Sequence, residues 1–196
     1  MSTVARRALF PGMARPLSFA HRGYSARAPE NTMPAFTRAA EAGIPGVELD
    51  VRLSRDGIPI VFHDADLVRL AGVDTAVAEL SASELERADV GAWFSREFAG
   101  TGVPTLATVL STFTDTFYYD IEIKHRKGDP SPLIEAVLDC IGRHGLGPRV
   151  LVSSFHPAVV ARVREASEEL PAGLIFSAHR EVPVTLRRGQ GRYLCA

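Results

Sequence analysis

Apolar residues recur in this chain with two periods that take turns, and the alternation predicts its architecture. Runs that are apolar at every second position, or nearly throughout, read as strands: 17–20, 47–53, 58–62, 117–124, 150–155 and 174–176. Between them lie segments with helical spacing and recognisable ends. Asn31 or Thr32 caps a helix with Pro34 in its first turn, which runs through Phe36, Ala39 and Ala40 and stops at Gly43. Ser81 with Glu84 forms a capping box for a short helix through Leu85 and Ala88. Pro104-Thr105-Leu106 opens another, through Val109 and Leu110. Ser131 caps and Pro132 begins a helix with Leu133, Ile134, Val137, Leu138 and Ile141 on one face, ending at Gly145. Pro157 begins the last, with Val159, Val160, Val163 and Ala166 apolar. Residues 64–78 read as a long irregular connection and 93–102 as loop.

Strands that alternate with helices across short turns predict a parallel α/β fold. The polar residues cluster late in their strands, where both barrels and open doubly wound sheets build their sites. No glycine-rich phosphate loop favours the open sheet, and inward charges on two separate strands favour a barrel mouth. The expected fold is therefore a (β/α)8 barrel, incomplete, with about six of its eight strands. Residues 1–16, rich in Arg and Pro, read as a flexible arm, 17–177 as the barrel domain and 178–196 as an irregular tail. That tail offers no clear strand-helix pair.

Composition narrows the picture only a little. With 196 residues, 46% hydrophobic content and a net charge of -1, the chain is an ordinary globular domain. No basic field points to nucleic acid, and no apolar run approaches a membrane span. Pro11, Gly12, Arg15 and Pro16 break the early apolar stretch, so a cytoplasmic protein is expected. Cys140 falls in a helical apolar pattern and reads as a packing residue.

The segment from Gly46 to Asp64 changes the picture most. Side chains two apart share a strand face, so Glu48, Asp50 and Arg52 oppose Val47, Leu49 and Val51. The 117–124 strand repeats the signature, with Asp120, Glu122 and Lys124 opposite Ile121 and Ile123. Isolated buried carboxylates cost several kcal/mol or turn neutral, so burial of that face implies a cation among them. His21 follows the first strand, and His63-Asp64 follows the 58–62 run.

Inward carboxylates, two histidines and a lysine suit metal-assisted chemistry on a phosphate ester. Oxygen ligands select a hard cation, Mg²⁺ or Ca²⁺, over zinc. Each feature also has a plainer reading. Either histidine alone can cap or decorate a surface, Glu48 and Asp50 alone can line a solvated face, and Lys124 can simply neutralise Glu122. No Gly-x-Ser-x-Gly elbow supports a serine hydrolase, and His144 and His179 read as surface residues.

The motifs together resemble the glycerophosphodiester phosphodiesterase family. They are His21-Arg22-Gly23, Pro29-Glu30-Asn31-Thr32, Glu48-Leu49-Asp50-Val51, Asp56-Gly57, His63-Asp64, Pro104-Thr105-Leu106, Glu122-Ile123-Lys124 and Ser153-Ser154-Phe155. The resemblance implies a (β/α)8 barrel that hydrolyses a small-molecule glycerophosphodiester to an alcohol and glycerol phosphate with Mg²⁺ or Ca²⁺. It implies His21 and His63 as the acid–base pair and Glu48, Asp50 and Glu122 as metal ligands. Arg22 and Lys124 become phosphate-binding residues, and Glu30 a further carboxylate of the site. It also implies attack by the substrate's own glycerol hydroxyl, giving a cyclic phosphate that water opens. The chain departs from the family where Arg69-Leu70-Ala71-Gly72 replaces an Arg-Thr-Thr-like run and Ala107 a glutamate. The last two strand-helix units have no counterpart after Ser177. A lysophospholipase D or sphingomyelinase D-like phosphodiesterase is the alternative on the same barrel, and an inactive truncated relic is the non-enzymatic one.

Overall fold

A computed structural model describes Phe10, residues 17–125 and 127–176, and the backbone of a strand at Arg192–Cys195. In chain order the elements are β1 (Phe19–His21), α1 (Met33–Glu41), β2 (Gly46–Leu53), β3 (Pro59–Val61), β4 (Asp66–Leu67), α2 (Val68–Ala71) and β5 (Val73–Ala76). There follow α3 (Ala82–Leu85), α4 (Leu106–Phe113), β6 (Tyr118–Ile123), α5 (Ser131–Arg143), β7 (Val150–Ser154), α6 (Pro157–Ala166), β8 (Ala172–Phe176) and β9 (Arg192–Cys195).

The main sheet has the order β1-β2-β6-β7-β8-β9, all parallel. Spatial order thus follows chain order without reversal. A doubly wound sheet would reverse at a switch point, so this is the arc of an incomplete (β/α)8 barrel, as expected. β9 adds a parallel partner to β8 inside the stretch read as irregular tail. Residues 178–191 of that stretch lie outside the described residues, and so does the 1–16 arm except Phe10. Phe10 is buried, its ring centroid 4.8 Å from Tyr118 and 6.3 Å from Phe19.

The outer face of the sheet carries the main core. Val47, Leu49 and Val51 of β2 and Tyr119, Ile121 and Ile123 of β6 pack with Phe36, Leu106, Leu110, Ile134, Val137 and Val163 of the helices. Cys140 is buried in the same cluster, the packing role expected of it. The periodicities that predicted strands and helices are the two surfaces of this one layer.

Several local expectations change. β3 folds back antiparallel on β2 through the Ser54–Gly57 turn, where Gly57 takes a φ of 77°. Its carboxyl end therefore returns toward the middle of β2, and His63 does not extend a parallel strand. The 64–78 connection is ordered: β4 and β5 pair antiparallel around α2, and Leu67 and Leu70 are buried with Ile60, Phe62, Val77 and Leu85 in a second cluster. Ser131 does not cap α5; it is the first helical residue, and its N–H donates to Asp129 Oδ1, two residues earlier, at 3.0 Å. Thr32 holds the N-cap position of α1 without a side-chain cap and donates instead to the Pro29 carbonyl at 2.5 Å. The Ser81–Glu84 capping box forms as expected, and Thr105 caps α4 by accepting from the Thr108 N–H. No helix among the described residues is long and apolar enough to cross a membrane.

Candidate active site

The register of β2 on β6 builds the site. Glu48 stands beside Asp120 and Asp50 beside Glu122, so carboxylates occupy two successive inward positions on adjacent strands. Ligand oxygens of Glu48, Asp50 and Glu122 all lie within 4.8 Å of one another. Asp50 and Glu122 are buried, and Glu48 is half-buried. β1 pairs with the first half of β2 and sets His21 level with Glu48, its Nε2 3.8 Å from Glu48 Oε2.

The chain just after β1 wraps over these carboxylates. Arg22 (φ 58°) and Gly23 (φ 77°) make a tight left-handed turn, and a Cβ on Gly23 would meet Ala35 at 2.8 Å. That turn aims the Arg22 N–H at Glu48 Oε2, 2.9 Å away, and brings its Nε to 3.3 Å from Asp50 Oδ2. Asn31, also left-handed at φ 56°, donates from Nδ2 to Asp50 Oδ2 at 2.7 Å and accepts the Asp50 N–H. Left-handed backbone costs about 1–3 kcal/mol at a non-glycine residue and persists where the surroundings impose it. Here the imposed contacts are the site's own.

The electrostatics of the carboxylate group call for positive charge. Burial, then the Asp50 charge, pushes Glu48 up to about 9, and burial raises Asp120 to about 6 against a 2.6 Å hydrogen bond from Ser153 Oγ. Burial also raises Glu122, against the pull of Lys124. Lys124 Nζ lies 2.5 Å from Glu122 Oε1 and 2.9 Å from Asp50 Oδ1, yet Asp50 Oδ1 receives no hydrogen bond in good geometry. One ammonium and the Arg22 guanidinium thus leave a group of carboxylates only partly neutralised. An oxygen-only donor set with an unsatisfied buried oxygen fits a hard divalent cation held by Glu48, Asp50 and Glu122.

His63 reaches the same region from β3. The N–H of Phe62 donates to the Asp50 carbonyl, and the Arg52 guanidinium donates to the His63 carbonyl at 2.6 and 2.9 Å. Its Nδ1 lies 2.7 Å from Asp64 Oδ1. Burial works to raise Asp64, but hydrogen bonds from Arg69 and His63 outweigh it and hold the carboxyl below its ordinary range. An ionised carboxylate only accepts, so the ring nitrogen facing Asp64, Nδ1, carries the proton. His21 is different: burial, then Arg22, lowers its pKa, and its side chain is 69% exposed.

The candidate site residues His21, Arg22, Glu30, Glu48, Asp50, His63, Glu122 and Lys124 lie in one connected region, with the Glu30 carboxylate accepting from Arg22 Nη1 at 2.8 Å. Sequence reasoning missed others. The sequence offers Asn31 or Thr32 as a helix cap, while the Asn31 side chain serves Asp50. Asp120 was placed on the inward face but not given a part. Arg69 stands where the family carries the arginine of an Arg-Thr-Thr-like run, and the sequence alone gives it no part in the site. Of the two histidines read as surface residues, His144 is half-buried with its ring 2.8 Å from the Cys140 carbonyl, and His179 lies outside the described residues.

Known proteins place this site in context. Residues 21–193 match the model of the glycerophosphoryl diester phosphodiesterase family. The chain is 35% identical over 161 residues to a glycerophosphodiester phosphodiesterase of Caldanaerobacter subterraneus subsp. tengcongensis, covering 82% of this chain and 66% of that protein. It is 38% identical over 145 residues to one of Bacillus altitudinis, covering 73% and 59% respectively. The match to these relatives thus spans somewhat less than two thirds of their length. Among solved structures, an Oleispira antarctica phosphodiesterase in complex with the product sn-glycerol-3-phosphate superposes with a TM-score of 0.79 at 31% identity, over 88% of this chain and 69% of that one. A Thermotoga maritima glycerophosphodiester phosphodiesterase does so with a TM-score of 0.67 at 33% identity, over 85% and 65%. With the barrel arc and the acidic inner face in the same chain as these matches, the chain belongs to the glycerophosphoryl diester phosphodiesterase family.

Proposed function

We propose that this chain hydrolyses glycerophosphodiesters to an alcohol and glycerol phosphate at the mouth formed by β1, β2, β3 and β6. The observation that carries the reading is the convergence of Glu48, Asp50 and Glu122 oxygens within 4.8 Å, with His21 Nε2 3.8 Å from Glu48 and His63 next to the residue whose N–H meets the Asp50 carbonyl. A divalent cation held there, Mg²⁺ or Ca²⁺, would neutralise phosphate charge and polarise a phosphoryl oxygen.

The chain's own residues supply the rest. Arg22 and Lys124 already stand against the carboxylates, and their free N–H groups offer charge-assisted hydrogen bonds to phosphate oxygens. One imidazole takes the proton of the attacking glycerol hydroxyl as the P–O bond forms, and the other returns a proton to the departing alkoxide. Water then opens the cyclic phosphate with the roles reversed. Asp64 keeps the His63 proton on Nδ1 so that Nε2 performs the exchange.

The test is a coupled assay for released glycerol phosphate on a panel of glycerophosphodiesters, before and after chelation. Activity lost in chelator and restored by Mg²⁺ or Ca²⁺ supports the reading. Full activity in chelator removes the metal, and no release from any member of the panel removes the activity.

A further inference from the structure

The connection after β3 carries a residue that bridges two parts of the site. Arg69 lies in α2, a turn held down by Leu67 and Leu70, which are 1% and 4% exposed, and closed by Gly72 at φ 69°. Its Nε donates to Asp64 Oδ2 at 2.6 Å. Its Nη1 and Nη2 donate to Glu30 Oε2 and Oε1 at 3.1 and 2.7 Å. The other Asp64 oxygen faces His63 Nδ1 at 2.7 Å, and Glu30 Oε1 also accepts from Arg22 Nη1 at 2.8 Å. A continuous path of charge-assisted hydrogen bonds thus runs from the His63 imidazole through Asp64, Arg69 and Glu30 to Arg22.

We propose that Arg69 is a positioning residue, which locks the loop carrying His63 to the loop carrying Arg22 and so fixes the imidazole relative to the phosphate-binding guanidinium. An ordinary surface ion pair contributes too little to hold two loops. The Arg69 side chain is 45% exposed, and what sets this pair apart is its geometry and its two carboxylates. Glu30 and Asp64 are only 13% and 23% exposed, Glu30 is gripped by both terminal nitrogens, and all three N–H directions of the fork are used by two carboxylates from separate loops. A lysine at this position offers one point of charge and cannot span both. Arg69 also occupies Asp64 Oδ2, which restrains the carboxylate so that Oδ1 stays on the His63 ring. Misplacing a reacting group by about 1 Å costs on the order of 10²-fold, so a fixed imidazole matters more for turnover than for binding.

The inference rests on the phosphodiesterase reading, and its test separates the two. In the full chain with metal, Arg69→Ala is expected to lower kcat about 10–100-fold with little change in KM. Arg69→Lys should recover only part of the loss. Adding Arg69→Ala to Asp64→Asn should cost little more than Asp64→Asn alone, because both act through one path. In ¹⁵N-histidine spectra, Arg69→Ala should shift the His63 ring nitrogens away from the single Nδ1–H tautomer, a readout that needs no substrate. Unchanged kcat, a raised KM alone, additive losses or an unmoved His63 spectrum would each overturn the proposal. If the parent protein turns over no glycerophosphodiester while the His63 ring still responds, the bridge stands and the activity falls.

Discussion

The two faces of β2 and β6 share one backbone and obey opposite rules. Outward, Val47, Leu49, Val51, Tyr119, Ile121 and Ile123 are buried against helices, where every methylene removed from water adds stability. Inward, one residue away each time, Glu48, Asp50, Asp120 and Glu122 are crowded together at a cost, with Glu48 pushed to about 9 by burial and by Asp50. The outer face makes the fold, and the inner face gives back part of that stability by crowding buried carboxylates together. Core and candidate site are thus separated on a single strand by a step of one residue.

That separation can be broken from either side. The largest effect belongs to the inner face: chelation should abolish turnover with the fold intact by circular dichroism, and Mg²⁺ or Ca²⁺ should restore it. Next, His21→Ala or His63→Ala should lower kcat by about 10²–10⁴-fold while calorimetric metal affinity stays as in the parent; unchanged turnover removes that histidine from the proton transfers. On the outer face, Leu49→Ala or Ile121→Ala should cost about 2–5 kcal/mol in denaturant unfolding yet leave kcat per folded molecule close to the parent's. A loss of kcat without loss of stability there would mean that the two faces are not independent.

The subtlest test concerns pH. Glu48 is raised from an ordinary 4.5 to about 9, so the folded state holds its proton more tightly than the unfolded one. Its contribution is complete below about pH 4.5 and is lost as pH rises toward 9, so metal-free stability should fall across that window. Asp120, raised to about 6, acts in the same direction over the lower part of the range. Glu30 and Asp64 are shifted down, and their contributions are already complete above their ordinary values. Glu48→Gln should flatten the slope, keep the hydrogen bond from the Arg22 N–H and weaken metal binding. A slope unchanged by that substitution would show that the crowding of the inner face lies elsewhere.

The legible parts of this molecule were those written in short-range pattern. Strict alternation in Val47–Glu48–Leu49–Asp50 fixed which side chains share a face before any fold was known, because a strand has a period of two. The Ser81–Glu84 capping box and the helix opening at Pro104-Thr105-Leu106 are local and form as expected. The reading failed where two local interpretations compete and distant contacts choose. Asn31 can cap a helix or serve Asp50, and Asp50 lies nineteen positions away. The 64–78 connection looked irregular because its two strands are short and its order comes from Leu67, Leu70 and Val77 meeting Ile60, Phe62 and Leu85.

By itself, then, the sequence determined the alternation of strands and helices, the two chemical faces of the central strands and the residue types gathered in the candidate site. Tertiary structure alone decided the register that sets Asp50 beside Glu122, the reversal of β3 that returns His63 to their level, and the meeting of Glu30 and Asp64 on Arg69. The physical reason is range. Periodicity and capping are settled within one or two turns of chain, whereas register and ion-pair geometry depend on which surfaces the whole core brings within a few ångströms of each other.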